Sequence, residues 1–78
     1  MKDEKHLAYI TFDKISFFNI MLISDLHSVE YKANELENEL IFDRDNLEKL
    51  KFCIDVCDWK VPELAAKIQR AGENKFGW

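Results

Sequence analysis

The sequence predicts a mainly α fold: a helical hairpin, or a small three-helix bundle whose C-terminal helix is kinked or restarted at a proline. Three observations predict it. Over residues 43–71 the apolar side chains Leu47, Leu50, Ile54, Cys57, Val61, Leu64, Ile68 and Ala71 recur in alternating steps of three and four, which puts them on one helix stripe with a seven-residue repeat. A matching stripe runs upstream through Ile15, Leu22, Leu26, Val29, Ala33, Leu36 and Leu40. Between the two lies the charged stretch Phe42-Asp43-Arg44-Asp45, short enough to join two antiparallel helices whose stripes face each other.

Composition sets the outer bounds. The chain of 78 residues is long enough for one domain, residues 1–78. Nearly half of it is apolar, as in a folded chain rather than a disordered one. Only two glycines and one proline are present, which is little turn chemistry for a multi-stranded sheet. A domain of this size buries only about 60% of its unfolded surface, so it depends on close packing or on oligomerisation.

Taken in order, residues 1–12 admit two readings. Asp3 caps a short helix through Leu7, Ala8 and Ile10, or Leu7-Ala8-Tyr9-Ile10-Thr11-Phe12 forms a strand. Asp13 is a good N-cap for a helix starting at Lys14. Residues 14–42 read as one long helix. Its first third is apolar all round, through Phe17, Phe18, Ile20, Met21, Leu22 and Ile23, and such a helix needs cover on more than one side. The competing assignment is α+β, with an N-terminal β-hairpin over residues 7–23 turning at Asp13-Lys14. No Gly or Asn stands there to supply the positive φ that a two-residue turn prefers. If only the later part is helical, Ser24-Asp25 is its natural N-cap.

Residues 44–58 form the best-defined helix, capped by Asp43 or Asp45, with Asp45-Asn46-Leu47-Glu48 in the form of a capping box. Pro62 suits the first turn of a helix and is disfavoured inside one, so the helix kinks or restarts there. Gly72, after Ala71, suits the left-handed stop and leaves residues 73–78 as a tail. Packing about a turn at residues 42–45 sets Leu50, Ile54 and Leu64 against Leu22, Val29 and Leu36, with Leu36 beside Leu50 and Val29 beside Cys57.

Chemistry-bearing patterns are sparse. Cys53 and Cys57 share a helix face and could hold a metal with His6 or His27. Structural zinc sites favour a tighter pair in a loop, so both thiols read as small core residues, reduced and without metal. Glu35, Glu37 and Glu39 alternate along a helix without converging, and Gly72 and Gly77 make no phosphate loop. No metal, cofactor or catalytic residue is implied, and no enzyme is expected. The basic residues Lys60, Lys67, Arg70 and Lys75 gather at one end but form no stripe suited to a duplex, so direct nucleic-acid binding is not expected. The first six residues lack the apolar centre of a signal peptide. The most apolar run, residues 15–23, is too short to span a bilayer. A cytoplasmic protein with no membrane partner is the expectation.

What remains is surface. Net charge is −4, and residues 30–48 carry seven acids against two bases, a solvated face or one that attracts a basic partner. Phe52, Val56 and Trp59 lie opposite the main stripe of their helix, where a plain hairpin leaves them in water. Either the N-terminal segment covers them or they form a contact surface. Phe76 and Trp78 join them as candidates, because aromatic residues dominate interface hot spots, and Glu35, Glu37 and Glu39 are candidates for steering. The plan of a short acidic helical chain with a spare apolar face resembles several kinds of small binding protein: phage-encoded inhibitors of host defence, toxin-neutralising immunity proteins, and plasmid-type helical-hairpin dimers that modulate RNA. The resemblance is one of architecture and transfers no residue. It implies a non-enzymatic protein that inhibits or regulates a protein partner by occlusion, the partner presenting a basic surface, even a nucleic-acid-binding groove. The alternatives are a homodimeric helical-bundle subunit and a helical RNA-binding dimer.

Overall fold

The computed structural model describes residues 7–56 and 62–78. In chain order the elements are β1 (Leu7–Thr11), α1 (Lys14–Leu26), β2 (Lys32–Asn34), β3 (Glu39–Asp43), α2 (Arg44–Val56) and α3 (Pro62–Phe76). The strands make one antiparallel sheet of order β1-β3-β2. Ile10 faces Leu40 and Ala8 faces Phe42 across the first pair, and Ala33 faces Leu40 across the second. Since β1 and β2 are each antiparallel to β3, they run parallel to one another, and α1 is the crossover between them.

Alternation decides which sheet face is covered. Ala8, Ile10, Leu40 and Phe42 are buried, whereas Tyr9, Thr11 and the other outward residues of β1 and β3 are exposed or half-buried. Against the inner face lie Phe17 and Ile20 of α1, Leu47, Leu50 and Ile54 of α2, and Leu64 and Ile68 of α3, in one cluster with Phe12 and Val29. Burying each Leu- or Phe-sized side chain stabilises the fold by roughly 1.5–3 kcal/mol.

Local signals fix the boundaries. The backbone N–H of Ser16 donates to Asp13 Oδ1 at 2.7 Å and starts α1. Ser28, at φ 58°, ends it: the N–H of Val29 returns to the Ser24 carbonyl at 2.8 Å, a left-handed cap with a buried Val beyond it. β3 runs directly into α2, where Asp43 Oδ1 accepts from the backbone N–H of Asn46 at 2.9 Å and from Asn46 Nδ2 at 3.0 Å. α3 is described from Pro62, and the kink or restart expected before it falls on residues outside those described. Gly77, at φ 71°, ends α3, so the helix runs through Gly72.

The fold is therefore α+β, and the mainly α expectation is corrected. Neither the helical hairpin nor the three-helix bundle forms, because residues 32–34 and 39–43 are strands and the helix expected over residues 14–42 stops at Leu26. The class is that of the alternative, but its hairpin over residues 7–23 is absent: residues 7–11 pair with β3, and Lys14–Leu26 is helical. The turn expected at residues 42–45 is instead a strand-to-helix junction. The expected core divides accordingly. Leu50, Ile54, Leu64 and Val29 are buried, while Leu22 is 60% and Leu36 is 94% exposed. Among the described residues, no helix is long and apolar enough to cross a membrane.

Candidate functional site

Besides Tyr9 on the open face of the sheet, three surfaces among the described residues leave large apolar side chains in water, and each arises from how its element is placed. On α2, Leu47, Leu50, Cys53 and Ile54 face inward, so Phe52 and Val56, four residues apart, face outward at 65% and 62% exposure. Phe52 borders a shallow groove of about 360 Å³ lined also by Glu48, Lys51, Asp55, Gln69 and Trp78. Its polar rim is held in place by the pairs Lys51–Asp55 at 3.2 Å and Arg44–Glu48 at 3.7 Å. Gln69 Nε2 also donates to Glu73 at 3.0 Å.

Trp78 forms one wall of this groove because the end of the chain folds back. Its backbone N–H donates to the Gly72 carbonyl at 3.3 Å, its ring lies where a Cβ on Gly72 would stand, and the Phe76 ring is 6.4 Å away. Both aromatics are half-buried against the core. Trp78 Nε1 is buried with no hydrogen-bond partner. These two candidates thus belong to the body of the fold, with Trp78 also contributing an edge to the groove. Trp59 and Val61 lie outside the described residues, as do Cys57 and His6.

The second surface is the tip of the β2–β3 hairpin. Glu35 and Glu37 are exposed there, flanking Leu36, and Glu39 is half-buried at the start of β3. The three acids therefore sit on a hairpin and not on the helix expected for them. Asn38, at φ 52°, supplies the left-handed position that the loop needs, and Glu37 N–H donates to the Asn34 carbonyl at 3.2 Å.

The third surface is the outer side of α1, where Ile15, Phe18, Leu22 and Leu26 are half or more exposed. The sequence pattern assigned three of the four to the core. The signal that could have found them was the all-round apolar character of this stretch, which exceeds what one covered face can use.

The remaining polar groups are engaged locally. Lys67 Nζ donates to the Thr11 carbonyl at 2.6 Å and stands over the Phe12 ring at 5.2 Å, so the basic end loses one of its cations to an internal contact. Tyr31 Oη donates to Asp25 Oδ1 at 3.0 Å. Partial burial, then this hydrogen bond, pushes the phenol above its ordinary pKa. The Asp13 carboxyl is held below its ordinary pKa, first by the backbone N–H of Ser16, then by the Ser16 side chain and the charge of Lys67. Cys53 is buried on the inner side of α2. Among the described residues, no three His, Cys, Asp or Glu side chains converge as metal ligands would.

No family model matches the chain, and no match is found among curated proteins or solved structures.

Proposed function

We propose that the chain is a small non-enzymatic protein of the cytoplasm that binds a protein partner and inhibits or regulates it by occlusion. One observation carries this reading. Phe52 and Val56, one helical turn apart on α2, stand 65% and 62% exposed, a contiguous apolar patch rather than singly scattered surface apolarity. The face that fits a foreign partner is the outer side of α2. Phe52 and Val56 supply an apolar anchor, the groove beside them supplies a concave edge, and Glu48, Lys51 and Asp55 supply a polar rim, which is the anatomy of a small interface. The carboxylates of Glu35 and Glu37, with Glu39 behind them, steer the encounter towards a basic surface on the partner. The likeness to helical inhibitors rested on a helical plan, and it is set aside with that plan.

The test separates anchor from steering. A partner is captured on the wild-type chain and identified, and its association and dissociation rates are measured against two variants. Phe52→Ser with Val56→Ser is expected to speed dissociation by tenfold or more, since hot-spot truncations cost 2 kcal/mol or more. Changing Glu35, Glu37 and Glu39 to Gln is expected to slow association at low salt and to have little effect at high salt. A partner that dissociates at the same rate from the Phe52/Val56 variant places the binding face elsewhere.

A further inference from the structure

The outer face of α1 has the symmetry of a surface that meets its own copy. At about 100° per residue, Ile15, Phe18, Leu22 and Leu26 fall within about 80° of one another around the helix axis. Phe17, Ile20 and Ser24, which are buried, lie on the opposite side. The exposed stripe is nearly palindromic. Turned end for end about a point beside Ile20, Ile15 meets Leu26 of a second copy and Phe18 meets Leu22. The charges obey the same operation. Lys14 and Asp25 are the charged residues of α1, one near each end, and they fall on the same flank of the stripe within about 20° of each other. In an antiparallel helix pair related by a two-fold axis, each flank meets the same flank of its neighbour, reversed in direction. Lys14 of one copy then comes opposite Asp25 of the other, twice, the carboxylate also accepting from Tyr31 Oη of its own copy through Oδ1.

The area is also sufficient. At exposures of 75%, 50%, 60% and 73% for Ile15, Phe18, Leu22 and Leu26, the stripe offers on the order of 500 Å², the upper end for a lone patch on a monomer. Two copies would remove on the order of 1,000 Å² from water, with half-buried Met21 and Ile23 adding at the margins, which reaches the threshold of a specific interface. We infer that the chain forms a two-fold homodimer through antiparallel packing of α1 on α1, sealed by Ile15, Phe18, Leu22 and Leu26 and registered by reciprocal Lys14–Asp25 pairs. The inference uses neither Phe52 nor Val56 nor the groove beside them, so it is tested separately from the function proposed above.

Sedimentation equilibrium of the full chain from micromolar to millimolar concentration tests it. The expected result is a monomer–dimer equilibrium that Leu22→Glu weakens by about a hundredfold or more, because the two-fold axis places the substitution in the contact twice, with the circular dichroism spectrum unchanged. A wild-type chain that stays monomeric throughout, or a dimer that survives Leu22→Glu, overturns it. Should Leu22→Glu fail to fold, the flank charges decide. Lys14→Glu and Asp25→Lys, each alone, are expected to weaken the dimer several-fold at low salt, and an equal mixture of the two variants to associate as tightly as wild type. Single variants that associate as tightly as wild type, or a mixture no tighter than its components, overturn the antiparallel arrangement.

Discussion

Ser28 ends α1 in a backbone conformation that glycine adopts without strain and serine does not. Replacing it with Gly is expected to raise unfolding stability by about 0.5–1 kcal/mol, read from the urea midpoint, because the left-handed φ is kept and the Cβ penalty removed. A loss would mean that the hydroxyl contributes more than the backbone strain costs. Asp13 acts at the other end of the same helix, and its role is read through pH. Its carboxyl titrates below the ordinary value in the folded chain because it accepts from Ser16. Its contribution to stability is therefore fully present above the unfolded pKa and is lost as pH falls through the folded one. Denaturation midpoints measured from neutral pH down into the acid limb are expected to fall less steeply for Asp13→Asn, which keeps an accepting oxygen but does not titrate. Equal slopes would remove Asp13 from the acid sensitivity of the fold.

At the scale of elements, α2 and α3 were legible and the middle of the chain was not. Leu47, Leu50, Ile54, Leu64 and Ile68 keep one helical period across two helices, and all five are buried. Their inward face could be read directly, and Asp43 was one of the two caps, with Asp45, that the sequence offered. The upstream stripe misled for two physical reasons. The stop at Ser28 lacks the glycine that would announce it, so the period ran straight through to Leu40. Within α1 the residues are apolar all round, so periodicity could not choose between the stripe through Leu22 and the face of Phe17, Ile20 and Ser24 that is buried. The β2–β3 hairpin was hidden because Asn38, not Gly, takes its left-handed position. The candidate surfaces were legible in proportion: Phe52 and Val56 were found from the clean period of α2, and the α1 stripe was missed with its helix. The two kinds of position are expected to differ in their effect on stability. Ile54→Ala, at a site 3% exposed, should cost roughly 2–5 kcal/mol. Asn38→Val should cost about 1–2 kcal/mol by forcing a β-branched residue into a left-handed turn. Phe52→Ser should stay within about 0.5 kcal/mol. Chemical denaturation measures all three, and a Phe52→Ser loss above about 1 kcal/mol would make that residue part of the folded body.

For the whole molecule, one helical layer covers one sheet face, and surplus apolar surface emerges on the outsides of α1 and α2 and at the hairpin tip. Small domains are marginal when left alone; the proposed dimer would cover the surplus of α1, and the proposed partner that of α2. The dimer makes apparent stability depend on concentration. The midpoint of thermal unfolding is expected to rise with protein concentration for wild type and to stay constant for Leu22→Glu, and a wild-type midpoint independent of concentration would contradict it. The tethering of α1 carries a further consequence, for the order in which the molecule comes apart. Both ends of this helix lead into strands that flank β3, and β1 reaches β3 only across the whole length of α1 and β2. The β2–β3 hairpin closes over a four-residue loop and needs no distant partner. Local closure does not make the hairpin durable, because β2 is three exposed residues at the sheet edge: its amide protons are expected to exchange first, and those of β1, β3 and α1 later, as one cooperative unit.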